Sequence, residues 1–228
     1  MVITHHGGQC FKVTFGDLTL VFDPISKNGT LPGVRFGADI ALVSRDHPDM
    51  NGIEEVTYAG KAPFAITGPG EYERQGVVIQ GFLSHSDYPA RSSTKQDKGS
   101  YVNTIYSVKL EGMTLVHLGA LSDTELSHEA RESIDEIDVL FVPIGGDSPT
   151  QAGVLSPAKA HELAVSLEPK IIVPMHWSLP AQAGGMGAST ALQAFLKEAG
   201  NGGEKVDKLT LKKKDLAGQE GSILVLTP

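Results

Sequence analysis

Four polar segments follow directly on apolar runs, and each carries side chains that bind ions. Ser44-Arg45-Asp46-His47-Pro48-Asp49-Met50 follows the run 39–43. Ser84-His85-Ser86-Asp87 follows 77–83, His117-Leu118-Gly119-Ala120 closes the run 113–117, and His176-Trp177 ends 171–175. Ligands gather beyond the carboxyl ends of strands, so four such ends at one sheet edge form one candidate site. His47 and Asp49 stand two apart in a loop, which lets both turn toward one cation. Imidazole and carboxylate suit zinc, iron or manganese. The same His-x-Asp pair also reads as a turn-capping aspartate beside a solvated histidine.

The elements that must position these residues come from the apolar pattern. Runs 11–15 and 18–22 flank Gly16-Asp17, a hairpin signal. Further strands are expected at 39–43, 64–67, 77–83, 104–110 and 113–117, with a turn at Gly68-Pro69-Gly70. A helix is expected from Thr124, with Leu126, Ala130 and Ile134 inward. The continuous runs 139–144 and 171–175 read as strands buried on both faces. Ser156-Pro157 opens a second helix, and Ser189 a third. Short strands near 208–212 and 223–226 end the chain. Two long loops, 89–99 and 180–187, are expected from composition. With no dividing linker, residues 1–228 read as one domain.

Composition excludes several function classes. A formal charge of −8 opposes general nucleic-acid binding. No apolar run reaches the length of a membrane span, and no signal peptide is read at the start. The single cysteine, Cys10, forms no intrachain disulfide and reads as a small buried hydrophobe. A cytoplasmic protein with a small-molecule ligand is the expectation.

The order of segments resembles the metallo-β-lactamase superfamily, in the branch of L-ascorbate-6-phosphate lactonase-like and related zinc hydrolases. Ile3 to Phe11, Asp23-Pro24, Gly68-Pro69-Gly70-Glu71-Tyr72, Asn103, Val142-Pro143-Ile144-Gly145-Gly146 and Pro169 to Trp177 carry the resemblance. It implies an α/β fold, the αββα four-layer sandwich, and homo-oligomers are common in that branch. The family holds two metals with a His-x-His-x-Asp-His loop, a third-strand histidine, a bridging aspartate and a last histidine; a hydroxide between the metals attacks the substrate. This chain departs from that set. Arg45 stands at the first histidine position and Met50 at the loop's last; His47 and Asp49 are retained. The third-strand histidine falls at Ser86, with His85 one residue out of register. The bridging aspartate falls at Ala120, and His176 is retained.

The resemblance therefore implies at most one metal (zinc, iron or manganese), held by His47, Asp49 and His176 with His85. His47 and Asp49 would be catalytic, and Arg45 and Trp177 would bind an anionic substrate of a hydrolase. The alternative is a metal-free, non-catalytic relative that binds a small anion or serves as a scaffold. Acid–base chemistry by His47 with Asp49 ranks last, because no nucleophile is identifiable. His5, His6 and His117 read as packed strand histidines, His128 and His161 as solvated helix residues. Asp46, Asp87 and Asp123 are considered as replacement ligands.

Overall fold

Alternating burial builds the first half of the chain. Strand β1 (Val2–His5) buries every second residue, and β2 (Phe11–Phe15) follows the same pattern at its start. β3 (Leu18–Phe22) returns antiparallel to β2 across Gly16-Asp17. Gly16 has φ +54°, the left-handed backbone that such a two-residue loop needs. β4 (Ile40–Leu42) and β5 (Phe64–Ile66) add in parallel. These and the strands below come from a computed structural model, which describes residues 1–88, 101–146, 153–177, 187–200 and 202–228.

A second sheet starts with β6 (Gly70–Arg74), β7 (Val77–Ser86), β8 (Tyr101–Leu110) and β9 (Met113–His117), all antiparallel neighbours. It continues in parallel through β10 (Val139–Pro143) and β11 (Ile171–Met175). β12 (Glu204–Val206), β13 (Leu209–Thr210) and β14 (Ser222–Leu226) close the chain. The sheet orders are β13-β1-β2-β3-β4-β5 and β12-β14-β11-β10-β9-β8-β7-β6. β6 was expected to be only a turn, and β12 was not expected. Both carry mostly exposed side chains, so neither shows the alternation that marks a half-buried strand.

The inner faces of the two sheets share one core. Phe11, Leu20, Phe22 and Leu42 of the smaller sheet meet Ile79, Tyr106, Leu115, Phe141 and Val173 of the larger. Helices α1 (His128–Ser133), α2 (Pro157–Ser166) and α3 (Gly187–Glu198) lie against the other face of the larger sheet, through Ala130, Ala160, Leu163, Leu192 and Phe195. Over the smaller sheet the outer layer is different. Ile25, Leu31, Val34 and Ala38, with Val56 of a 3-10 turn at Ile53–Val56, cover Val21 and Ala41. The expected sandwich is present, with an irregular segment in place of an α-helix on that side.

Two helix starts differ from expectation. α1 begins at His128, capped by Ser127, whose Oγ accepts from the Ala130 amide at 3.2 Å. Upstream, the Asp123 carboxylate instead accepts from the Glu125 amide and holds a turn. α3 begins at Gly187, two residues ahead of Ser189. The loops expected at 89–99 and 180–187 lie outside the described residues, Gly187 excepted. α2 starts as read: Ser156 accepts from the Lys159 amide at 3.4 Å and Pro157 takes the first helical position. Ser156→Ala should cost about 1 kcal/mol, read as a lower urea midpoint. An unchanged midpoint would mean that another group satisfies that amide. No helix among the described residues is long and apolar enough to cross a membrane.

Candidate functional site

The loop after β4 is held from below by a buried carboxylate. Asp23 accepts from the Ser44 amide and from Ser44 Oγ, both at 2.7 Å. Beyond Ser44 the chain turns tightly: the Met50 and Asn51 amides both donate to the His47 carbonyl at 2.8 Å. Asn103 ties the neighbouring strand ends together. Its Nδ2 donates to Ser84 Oγ (2.8 Å) and the Leu118 carbonyl (3.0 Å), and its Oδ1 accepts from the Ala120 amide (2.8 Å). Gly119 has φ +61°, and a side chain there would collide with Asn103 Oδ1 and Ser44. Arg45, His47, Asp49, Met50, Ser86, Ala120 and His176 are thereby all buried around one cleft.

The centre of that cleft is Tyr88, a residue no sequence feature marked. Its ring meets His47 edge-on at 5.2 Å and His176 at 4.9 Å between centroids. It packs with Met50, Ala120 and Val154. Its amide donates to Ser86 Oγ at 3.2 Å, and its carbonyl accepts from Arg45 Nη1. Arg45 Nη1 also donates to Ser86 Oγ at 3.3 Å, and the guanidinium stacks 4.3 Å from the Tyr101 ring. Burial, reinforced by the negative charge of Asp49, pushes the Tyr88 phenol up to about 12. It is neutral at pH 7.

The retained ligand-type residues are already engaged. Asp49 accepts from Thr30 Oγ1 at 2.7 Å and from the Thr30 amide. His47 Nδ1 accepts from the Asp49 amide at 3.1 Å and lies 3.7 Å from Asp49 Oδ2. His176 leaves β11 with φ +58°, unusual for a non-glycine residue, and its amide donates to the Gly8 carbonyl at 2.8 Å. Gln9 Nε2 donates to His176 Nδ1 at 2.9 Å. His176 Nε2 and Gln9 Oε1 are buried with no partner among the described residues. Burial lowers the His176 pKa to about 4, so the ring is neutral at pH 7.

These residues do not fit a metal centre. Among the described residues no three His, Cys, Asp or Glu side chains are grouped to hold an ion. A catalytic zinc usually needs three protein ligands. The Tyr88 ring lies against both histidines, and the Arg45 guanidinium adds a permanent positive charge.

Two expected site residues stand apart. His85 is exposed while Ser86 is fully buried; successive strand residues face opposite ways, so His85 points away from the cleft. Trp177 packs against the helix-side core, and its Nε1 donates to the Pro174 carbonyl at 3.0 Å. That hydrogen bond ties the indole to its own strand rather than to a ligand. Asp46, Asp87 and Asp123 are exposed. His5 and His117 are packed, as read. His5 bonds the Leu226 carbonyl at 3.0 Å and stacks on Phe11; His117 bonds the Gln9 carbonyl at 3.1 Å and stacks on Phe22. His128 is exposed, whereas His161 is half-buried beside Phe195. Besides Tyr88, the sequence reading overlooked Thr30 and the Gln9 side chain, both polar partners contributed from distant segments.

Comparison with known proteins agrees with this architecture. Residues 2–176 match the family described as the beta-lactamase superfamily domain. A UPF0173 metal-dependent hydrolase of Lysinibacillus sphaericus is 28% identical over 204 residues, covering 78% of this chain and 86% of the relative. One from Carboxydothermus hydrogenoformans is 29% identical over 201 residues, covering 78% and 85%. The chain is also similar to a crystal structure from Thermotoga maritima described as a Zn-dependent hydrolase of the metallo-β-lactamase superfamily. There the TM-score is 0.72 at 28% identity, with 99% and 97% of the two chains covered. The chain belongs to the beta-lactamase superfamily domain family and has the metallo-β-lactamase fold.

Proposed function

We propose that this protein is a metal-free relative of the metal-dependent hydrolases, and that its cleft binds a small anionic ligand without hydrolysing it through metals. The observation that carries this is the state of Arg45. Its guanidinium is buried in the cleft, and its hydrogen bonds go to neutral oxygens of Ser86 and Tyr88. Among the described residues it forms no ion pair with a carboxylate. A buried charge without a counter-charge is costly, and an anionic ligand would supply one through charge-assisted hydrogen bonds. Asp49 supports the same reading, because both its oxygens are held by Thr30.

A second reading is a one-metal hydrolase. The buried, unpartnered Nε2 of His176 favours it, since a metal ion would use that lone pair if the ring were turned to the other tautomer.

Two measurements decide between them. Elemental analysis of protein purified without added metal should find well under one zinc, iron or manganese per chain. Phosphate, sulfate or acetate should raise the melting temperature; saturation at about one hundred times Kd adds about 2.7 kcal/mol. Arg45→Gln should remove that gain. Near-stoichiometric metal that is lost in His176→Ala, together with chelator-sensitive hydrolysis, would sink the proposal and establish the one-metal enzyme.

A further inference from the structure

We infer that the Tyr88 side chain stands in the place of the metals, and that it is the residue that excludes a divalent cation from this cleft. The inference rests on the metal-free reading above and names the group responsible for it. Of the seven positions that the resemblance assigns to metal ligands, four touch Tyr88 and two more share its apolar cluster. Arg45 and Ser86 hold its backbone, His47 and His176 hold its ring edge-on, and Met50 and Ala120 pack with it. The seventh, Asp49, is close enough for its charge to act on the phenol.

The reason is volume. Met50 and Ala120 present apolar walls where polar ligands would otherwise converge. Apolar walls around an unfilled space lose packing contacts outright, and protein interiors avoid this. An aromatic ring fills such a space and keeps its hydroxyl for a polar rim. A zinc ion bound to both histidines would lie about 2 Å from each nitrogen. Tyr88 lies against both imidazoles at 5.2 and 4.9 Å between centroids, with interplanar angles of 74° and 86°. Ring and ion therefore compete for one position.

Tyr88 is fixed by its backbone as well as its ring. Its amide and carbonyl are bonded to Ser86 and Arg45, so Arg45, at the first ligand position, helps to secure the group that replaces the ion. Gly153 lies against the same stretch: a side chain there would meet the Asp87 carbonyl and the Tyr88 amide. The segment is clamped from both sides.

The test is a Co²⁺ titration followed by visible absorption, with wild type, Tyr88→Phe and Tyr88→Ala. Wild type and Tyr88→Phe should show no stoichiometric uptake, because phenylalanine keeps the ring. Tyr88→Ala should bind Co²⁺ about ten-fold tighter or more, since the His47 and His176 rings are then bared beside Asp49. Adding His176→Ala to Tyr88→Ala should abolish that gain. If wild type stays metal-free and Tyr88→Ala gains nothing, the role of Tyr88 falls while the metal-free reading stands. If wild type itself takes up one Co²⁺ that His176→Ala removes, both fall. Should Tyr88→Ala fail to fold, the wild-type protein decides by NMR. Contacts from the Tyr88 ring to the Met50 and Ala120 methyl groups that persist in millimolar Zn²⁺ support the inference; their displacement by Zn²⁺ overturns it.

Discussion

Phe141→Ala is expected to cost about 3–5 kcal/mol of stability, the range for truncating a large aromatic in a packed core. Phe141 lies in β10 and is fully buried between the two sheets. Its ring sits 4.5 Å from Phe11, 5.8 Å from Phe22 and 5.7 Å from His117. Two of these partners come from the smaller sheet, so the truncation opens a cavity where the sheets meet. The site above is linked to this aromatic cluster. His117 bonds the Gln9 carbonyl, and Gln9 bonds His176. For a chain of this length the loss corresponds to roughly 10 °C in Tm. Urea unfolding followed by circular dichroism measures it directly. Phe141→Leu, which retains most of the volume, should lose less than about 1.5 kcal/mol. An alanine variant within about 1 kcal/mol of wild type would mean that the sheets close over the gap.

Phe141 was also among the residues most legible from sequence, and the contrast with Tyr88 shows why. The run from Val139 and the run Ile171 to Met175 are continuously apolar, and both are strands buried on both faces. Ser156-Pro157 states a helix start in local chemistry alone. Such features depend on neighbours in the chain, so one sequence displays them. The polar ends of those strands were legible too, and they do meet in one cleft. What fills the cleft was not. Tyr88 follows a strand end and precedes Pro89, with nothing local to mark it. Its importance arises from contacts with Met50, Ala120 and His176, which only the fold brings near. Thr30 reaches Asp49 across 19 residues for the same reason. The choice between His85 and Ser86 needed the pairing with β8, in which His85 opposes Val102 and Ser86 opposes Tyr101. A one-residue slip turns every side chain of a strand over, and that register is not written in β7 by itself. The irregular layer over the smaller sheet was hidden in another way: residues 23–38 have no period, and their burial depends on the sheet beneath.

Acid is expected to unfold the protein through its buried histidines. Desolvation lowers His5 to about 4, His117 to about 3 and His176 to about 4, each from 6.5. A folded pKa below the unfolded one means that the unfolded chain binds the extra proton. The stability tied to these rings is therefore complete above about pH 6.5 and is lost as pH falls toward 4 and 3. At about 1.4 kcal/mol per pKa unit, each histidine contributes about 3–5 kcal/mol over that window. Asp23 acts in the opposite sense. Burial raises it from 3.8 to about 7, against the two bonds from Ser44 that favour its charge. Its folded form holds a proton that the unfolded chain releases, so its contribution is present in acid and is lost as pH rises from 3.8 to 7. Near pH 5, unfolding takes up about three protons at the histidines and releases about one from Asp23. The net uptake is about two, and stability should fall by about 3 kcal/mol per pH unit. Asp23→Asn isolates the opposing group. Asparagine tolerates the φ of +45° at this position, and its Oδ1 can still accept from the Ser44 amide. The variant should match wild type in acid, stand about 4 kcal/mol above it at pH 8, where wild-type Asp23 carries its buried charge, and lose about 4 kcal/mol per unit near pH 5. Urea midpoints between pH 5 and 8 give both slopes. A wild-type slope below about 1 kcal/mol per unit would show that the histidines are not held neutral in the core. An unchanged slope in Asp23→Asn would show that Asp23 is ionised in the folded protein.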